Sequence, residues 1–135
     1  MTRFTIAHWC ILAMALLPYA CAWLAKSGSF GKPRSQGGYD NQDPRGWLAR
    51  QIDWRARANA AQANTFESLP FFFAAVLAAH QLGAPQGRID ILAVLFVTLR
   101  IVYVAMYVAN LATVRSAIWV AALLANIAIL LSALR

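Results

Sequence analysis

The stretch ILAVLFVTLRIVYVAMYVANLATV, residues 91–114, decides the fold of this chain. At a rise of about 1.5 Å per residue, roughly 20 residues of helix cross a hydrocarbon core of about 30 Å, so the stretch is long enough to span a bilayer. Its single charge, Arg100, is costly in lipid unless that side of the helix meets other helices or water. The stretch therefore predicts a transmembrane helix with one polar side.

The composition of the whole chain agrees with a membrane location. Of its 135 residues, 61% are hydrophobic and only 13% are charged, and the mean hydropathy is +0.55. Soluble domains have about a quarter of their residues charged, and disordered or disulfide-stapled chains lack such long aliphatic runs. The net charge is +7, but the basic residues flank the apolar runs, so we expect no nucleic acid partner.

Three further apolar runs are each long enough to cross the membrane. Together they predict an all-α membrane protein, a bundle of four transmembrane helices in one domain over residues 1–135. The connections after the second and third runs are short, so successive helices should be antiparallel neighbours. A segment rich in Gly, Pro, Asp and Asn is predicted as a polar loop over residues 26–56. The predicted spans cover about residues 4–25, 57–82, 89–111 and 115–134.

The distribution of basic residues predicts the orientation. The segment from Lys26 to Arg57 carries most of the Lys and Arg residues of the chain, and Arg115 should lie on the same side. Because basic loops near span ends are retained in the cytoplasm, we expect the loop at 26–56 to be cytoplasmic. The predicted location is the inner membrane of a bacterium, with both termini on the opposite side.

Polar side chains form a stripe on each of the two central helices. At about 100° per residue, Arg57, Asn64 and Glu67 share one side of the second span. The third span carries a second stripe at positions i, i+3 and i+7, beginning at Arg100. Counting from the short turn between the spans places the two stripes at similar depth, so an intramembrane pair between Arg100 and Glu67 is reasonable. The second stripe consists of Arg100, Tyr103 and Tyr107.

Three functional interpretations of these stripes differ in the role that they give to the polar groups. Polar residues within membranes often pair with one another to hold a bundle together. Alternatively, two arginines, a carboxylate, an amide and two tyrosines would line a cleft for a small anionic ligand, since guanidinium groups grip carboxylates. A proton-coupled exporter using Glu67 is a third possibility, and the nearby cations argue against it because they hold a carboxylate ionised.

Two motifs resemble the MAPEG family, the membrane-associated proteins of eicosanoid and glutathione metabolism. RANAAQANTFESLPF at residues 57–71 is similar to the hallmark sequence of that family. RIVYVAMY at residues 100–107, followed by Arg115, is similar to the Arg, Tyr, Tyr and Arg series of its glutathione-using members. The resemblance covers the layout of all four spans.

The resemblance implies a homotrimer that uses glutathione as a co-substrate in clefts between subunits. It implies a glutathione transferase or peroxidase acting on a small lipophilic electrophile or hydroperoxide, with no metal. Arg115 would be the catalytic residue, because a fixed guanidinium favours the thiolate over the thiol. The residues implied to bind glutathione are Arg57, Gln62, Asn64, Glu67, Arg100, Tyr103 and Tyr107, with Arg100 either touching the ligand or pairing with Glu67.

One departure from the family pattern bears on activity. Glutathione-using relatives have a second arginine three residues after the first, where this chain has Ala60. A carboxylate clamp is then either missing or supplied by Arg55 or Lys26. The alternative is therefore a non-catalytic binding or scaffold protein of the same fold.

Overall fold

The computed structural model describes residues 3–134, and within that range it contains helices and no strands. A turn of 3-10 helix at Arg34–Gln36 lies between the first and second α-helices. The α-helices in chain order are α1 at Ile6–Lys26, α2 at Pro44–Ala49, α3 at Asp53–Gln81, α4 at Gln86–Val108 and α5 at Ala112–Leu131.

Three of these helices are long and apolar enough to cross a membrane: α1, α4 and α5. This result confirms the expectation of an all-helical membrane protein. Helix α3 has 29 residues, which is ample length, but it does not reach the hydropathy of the other three because polar residues fill its first half. A fourth span, and with it the bundle of four transmembrane helices, stays a prediction.

Each of the four long helices begins or ends outside its predicted span. Helix α3 begins at Asp53, four residues before the predicted span, and α5 begins at Ala112. Arg115, the first residue of the predicted fourth span, therefore lies in the first turn of α5. The predicted spans were bounded by charged residues, but charge ends the hydrocarbon-crossing part of a helix without ending its backbone hydrogen bonds. An acidic residue such as Asp53 at a helix N-terminus is in fact favoured by the helix dipole.

The segment between α1 and α3 is folded, although the sequence predicted a polar loop at 26–56. The Asp43 side chain accepts a hydrogen bond from the backbone N–H of Gly46 at 3.0 Å and caps α2, with Pro44 in the first turn. Trp47 of α2 is buried, and its ring meets Tyr39 edge to face at 5.3 Å. This aromatic pair anchors the segment, and α2 packs on α3.

The apolar core fills the half of the bundle nearest the turn between α3 and α4. Helix α1 packs on α3 and α4, and α5 packs on the same two helices. Phe72 of α3 and Phe96 of α4 are stacked with centroids 4.4 Å apart, and both are buried. Ala75, Ala79 and Ala93 are fully buried beside them, and such small residues let helices approach closely. The predicted polar stripes lie in the other half.

Arginines from α3 tie down the C-terminal ends of two neighbouring helices. Arg55 donates from Nη1 to the carbonyl oxygens of Ala25 and Ser27, at 3.0 and 2.7 Å. Arg57 donates from Nε to the carbonyl oxygen of Val108 at 2.9 Å. Since the last carbonyls of a helix lack intrahelical partners and carry partial negative charge, both arginines stabilise these ends.

Charged side chains from α4 stabilise one N-terminal and one C-terminal helix end at the opposite end of the bundle. Asp90 accepts a hydrogen bond from the backbone N–H of Ala7 in the first turn of α1 at 2.9 Å. Arg88 donates to the carbonyl oxygen of Ser132, directly after α5, at 3.0 Å. Each contact places the charge that a helix dipole favours at that terminus.

The outward surface of the bundle is strongly apolar. Only 22% of the α5 membrane-spanning window is buried within the protomer. Trp23, Ile91 and Leu124 are among the large side chains exposed on α1, α4 and α5. An apolar surface of this extent suits lipid, as expected for membrane-spanning helices.

Candidate functional site

The two predicted stripes meet at Arg100, the largest fully buried side chain among residues 3–134. It is 1% exposed, and its Nη2 donates to Asn64 Oδ1 at 2.9 Å and to Thr65 Oγ1 at 3.3 Å. Its guanidinium carbon lies 4.3 Å from the centre of the Tyr103 ring, within the range of a cation–π interaction. Arg100 therefore links α3 to α4 through hydrogen bonds to neutral acceptors.

An ion pair between Arg100 and Glu67, one of the two possibilities that the sequence left open for Arg100, does not form. Among residues 3–134, the ion pairs are Arg34–Asp40 and Arg50–Asp43, both in the segment between α1 and α3. Glu67 is exposed, and its Oε2 lies 3.5 Å from Asn64 Nδ2. Arg100 points into the bundle whereas Glu67 lies at its surface, so the amide of Asn64 stands between them.

The stripe of α4 continues toward the N-terminal end of α5. The rings of Tyr103 and Tyr107 meet edge to face at 5.7 Å. The guanidinium carbon of Arg115, in the first turn of α5, lies 4.2 Å from the centre of the Tyr107 ring. Six predicted site residues thus form one connected polar row, in the order Glu67, Asn64, Arg100, Tyr103, Tyr107 and Arg115.

The other two predicted site residues lie off this polar row. Arg57 binds the end of α4 through the Val108 carbonyl described above, so its Nε is already engaged. Gln62 lines a separate open groove of about 270 Å³ between α2 and α3, which it shares with Arg45 and Asn59. Residues two apart on a helix project in very different directions, which is why Gln62 leaves the side of α3 that carries Asn64.

Neither candidate to replace the missing arginine at Ala60 is free to do so. Arg55 is bound to the two carbonyl oxygens at the end of α1. The Nζ of Lys26 lies 4.6 Å from the centre of the Tyr39 ring. Both cations thus have structural partners in this chain.

A cavity of about 160 Å³ opens beside the polar row, between α3, α4 and α5. Asn64, Glu67 and Arg100 contribute its polar side, and α5 supplies Trp119 and Asn126. Asn126 is 2% exposed, and its Oδ1 has no hydrogen-bond partner. Nε of Arg100 also has no hydrogen-bond partner. Asn126 is not among the site residues predicted from the sequence. The one available signal was an amide within an otherwise apolar helix, which is costly in lipid.

The groups along the polar row are suited to a zwitterionic ligand with excess negative charge. Arg115 supplies an accessible cation, Tyr107 a half-buried hydroxyl, and Glu67 an exposed carboxylate that would accept an ammonium group. The cavity of about 160 Å³ is smaller than the pockets of about 300–1,000 Å³ that enclose drug-sized ligands. The cavity of a single chain is therefore too small to enclose a ligand as large as a tripeptide.

Comparison with known proteins agrees with this architecture. The model of the MAPEG family matches residues 6–135, which is almost the entire chain. No curated protein and no solved structure matches the chain at a significant level. The matched residues include those of both polar stripes, of the connected polar row and of all five α-helices. On this ground, the chain belongs to the MAPEG family.

Proposed function

We propose that this protein is an integral membrane transferase or peroxidase that uses glutathione against lipophilic electrophiles or hydroperoxides. The observation that carries the proposal is the connected polar row from Glu67 to Arg115, which joins three helices of a MAPEG member. Its donors and its carboxylate match the carboxylates, amides and ammonium group of glutathione. This chemical fit supports the ligand, and family membership supports the reaction class.

The members of the polar row divide into ligand-binding residues and a positioning residue. Asn64, Glu67 and Tyr107 bind the peptide part of glutathione. Arg100 is buried and already hydrogen-bonded, so we assign it to positioning: it fixes the Asn64 amide and the Tyr103 ring. A binding role for Arg57 and Gln62 requires surfaces outside the polar row, such as a neighbouring subunit.

Arg115 is the proposed catalytic residue. A guanidinium group can stabilise an anion but does not serve as a base. Glutathione would supply a thiol that attacks an electrophilic carbon with loss of a leaving group, or that reduces a hydroperoxide to alcohol and water as two thiols join in a disulfide. The Tyr107 ring lies against the Arg115 guanidinium and restricts its orientation before the ligand binds.

The proposal includes a homotrimer in the bacterial inner membrane with residues 26–56 on the cytoplasmic side. The incomplete cavity of the single protomer supports assembly, because a neighbouring subunit would close it. The basic residues around α2 and the start of α3 support the orientation.

Binding calorimetry in detergent tests the proposed function, together with the ultraviolet absorbance of the thiolate. The wild-type protein should bind glutathione and develop the thiolate absorbance. Arg115→Ala should lose the absorbance and about 100-fold in turnover, yet bind S-methylglutathione like the wild type, because that ligand has no thiol to ionise. Asn41→Ala, at an exposed loop position, is the matched control for Asn64→Ala, which should weaken binding of both ligands. Absence of glutathione binding by the wild type would contradict the proposal.

A non-catalytic binding or scaffold protein is the second candidate, and Ala60 is the observation that favours it. With Arg55 and Lys26 engaged elsewhere, the chain lacks one cation of the glutathione-using pattern. If this candidate holds, Arg115→Ala should change no phenotype whereas Glu67→Ala disrupts assembly. Thiolate absorbance that depends on Arg115 would reject it.

A further inference from the structure

Two residues that line the cavity between α3, α4 and α5 each have one buried polar atom without a hydrogen-bond partner. Nε of Arg100 is a hydrogen-bond donor without an acceptor, and Oδ1 of Asn126 is an acceptor without a donor. Both side chains are at least 98% buried, since their exposed fractions are 1% and 2%. Buried polar groups are nearly always satisfied in native proteins, so this pair requires an explanation.

The rest of the cavity wall contains both polar and apolar residues. Asn64, Glu67 and Ser68 of α3 are the other polar residues that line it. The apolar lining includes Phe96 and Ala122, at 2% and 1% exposed, together with Phe71 and Leu123. Trp119 is 40% exposed, so the cavity reaches the outside of α5 at this side chain.

The position of the opening connects the cavity to the membrane. Trp119 lies seven residues after the first residue of α5, which corresponds to about 10 Å along the helix, and Asn126 lies about 21 Å along it. An apolar molecule dissolved in the bilayer would reach the opening without passing through water. Its size also fits, because an apolar cavity of about 150 Å³ is known to hold benzene.

We propose that this cavity binds an apolar molecule that carries one hydroxyl or hydroperoxide group. Such a group accepts a hydrogen bond from Nε of Arg100 through its oxygen and donates its own hydrogen to Oδ1 of Asn126. An ether or a carbonyl satisfies only the donor, and a hydrocarbon satisfies neither. The pair therefore selects for a group that is donor and acceptor at once.

The binding site goes beyond the proposed glutathione chemistry, although Asn64 and Glu67 line both the cavity and the proposed glutathione site. Arg115, which would stabilise the thiolate, precedes Asn126 in α5 by 11 residues, or about 16 Å along the helix. Binding in the cavity is therefore separate from the thiolate and does not rest on the proposed function.

Quenching of tryptophan fluorescence in lipid nanodiscs, without glutathione, tests the proposal. The probes are para-bromobenzyl alcohol, its methyl ether and para-bromotoluene, three aryl bromides that differ in hydrogen-bonding capacity. Saturable quenching should be strongest for the alcohol, by about tenfold over the toluene, with the ether between them. Trp119→Phe should remove the saturable part, because Trp119 is the tryptophan that lines the cavity.

Two variants separate the polar pair from general packing. Asn126→Leu should bring the preference for the alcohol over the ether to within about twofold. Asn59→Leu, in the separate groove, is the matched control and should keep the wild-type order of probes. Equal affinity for the three probes in the wild-type protein, or quenching that never saturates because the cavity holds only water, would overturn the proposal without any variant. Because glutathione is absent from the assay, neither result bears on the proposed glutathione chemistry.

Discussion

At the scale of single residues, Asn64 is the side chain on which the site depends. Its Oδ1 accepts from Arg100 and its Nδ2 faces Glu67, so one amide connects a buried cation to a surface carboxylate. An amide can do this because it presents a donor and an acceptor on the same plane. Aspartate at this position would pair with Arg100 but repel Glu67.

Asn64→Ala should therefore lower stability as well as ligand binding. The substitution removes an acceptor from the fully buried Nη2 of Arg100 and leaves Thr65 as its remaining partner. The expected loss is about 1–3 kcal/mol in the free energy of unfolding, the usual penalty for an unsatisfied buried donor near a charge. Chemical denaturation in detergent micelles would measure it. Asn41→Ala, exposed in the segment before α2, should stay within about 0.5 kcal/mol of the wild type.

At the scale of helices and turns, the chain fastens each end of its bundle with charges from neighbouring helices. The sequence offered these arginines as signals of orientation, and Arg57 also as a ligand-binding residue. The structure uses Arg55 and Arg57 as caps for α1 and α4, and Arg88 as a cap for α5. A basic residue at a membrane surface can serve both purposes, since the C-termini that need capping lie at the interface.

Arg55→Met tests this capping role. The methionine keeps most of the apolar stem and removes the two hydrogen bonds to the last turn of α1, so the protein should lose about 1 kcal/mol of stability. Arg34→Met is the matched control, because its ion pair with Asp40 has an arginine side chain that is 60% exposed. Such surface pairs contribute about 0–1 kcal/mol, so the control should change little. Equal losses from both variants would contradict a specific cap at α1.

At the scale of the whole molecule, the protomer has a polar feature on a surface that otherwise suits lipid. Glu67 is exposed on α3 next to Phe66, which is itself 42% exposed. A carboxylate facing hydrocarbon is costly, and the cavity beside it is too small to enclose a tripeptide. A neighbouring subunit covering this side of α3 would remove both problems.

The protein should therefore assemble as a trimer. Native mass spectrometry after mild detergent extraction should find a complex of three copies of the 14.8 kDa chain. Glutathione should bind to the trimer fraction and not to dissociated chains, because the proposed cleft needs two subunits. A stable monomer that binds glutathione as tightly as the assembled protein would contradict this prediction.

The sequence alone determined the class of this protein and the sides of its helices that carry the polar residues. Lipid cannot satisfy backbone N–H and C=O groups, so long apolar runs must become helices, and the helical period then places Asn64 with Glu67 and Arg100 with Tyr103. The motifs at residues 57–71 and 100–115 were enough to identify the family, which the family match confirms.

Only the tertiary structure decided which groups contact one another. The helical period predicted Arg100 and Glu67 at similar depth. In the structure Arg100 is buried and Glu67 is exposed, so Arg100 donates its hydrogen bonds to Asn64 and Thr65. The same holds for Asn126, whose position beside Arg100 in one cavity depends on how α5 packs against α3 and α4. The physical reason is that a helix sequence fixes the direction of each side chain around its own axis, whereas its partner depends on the placement of helices far apart in the chain.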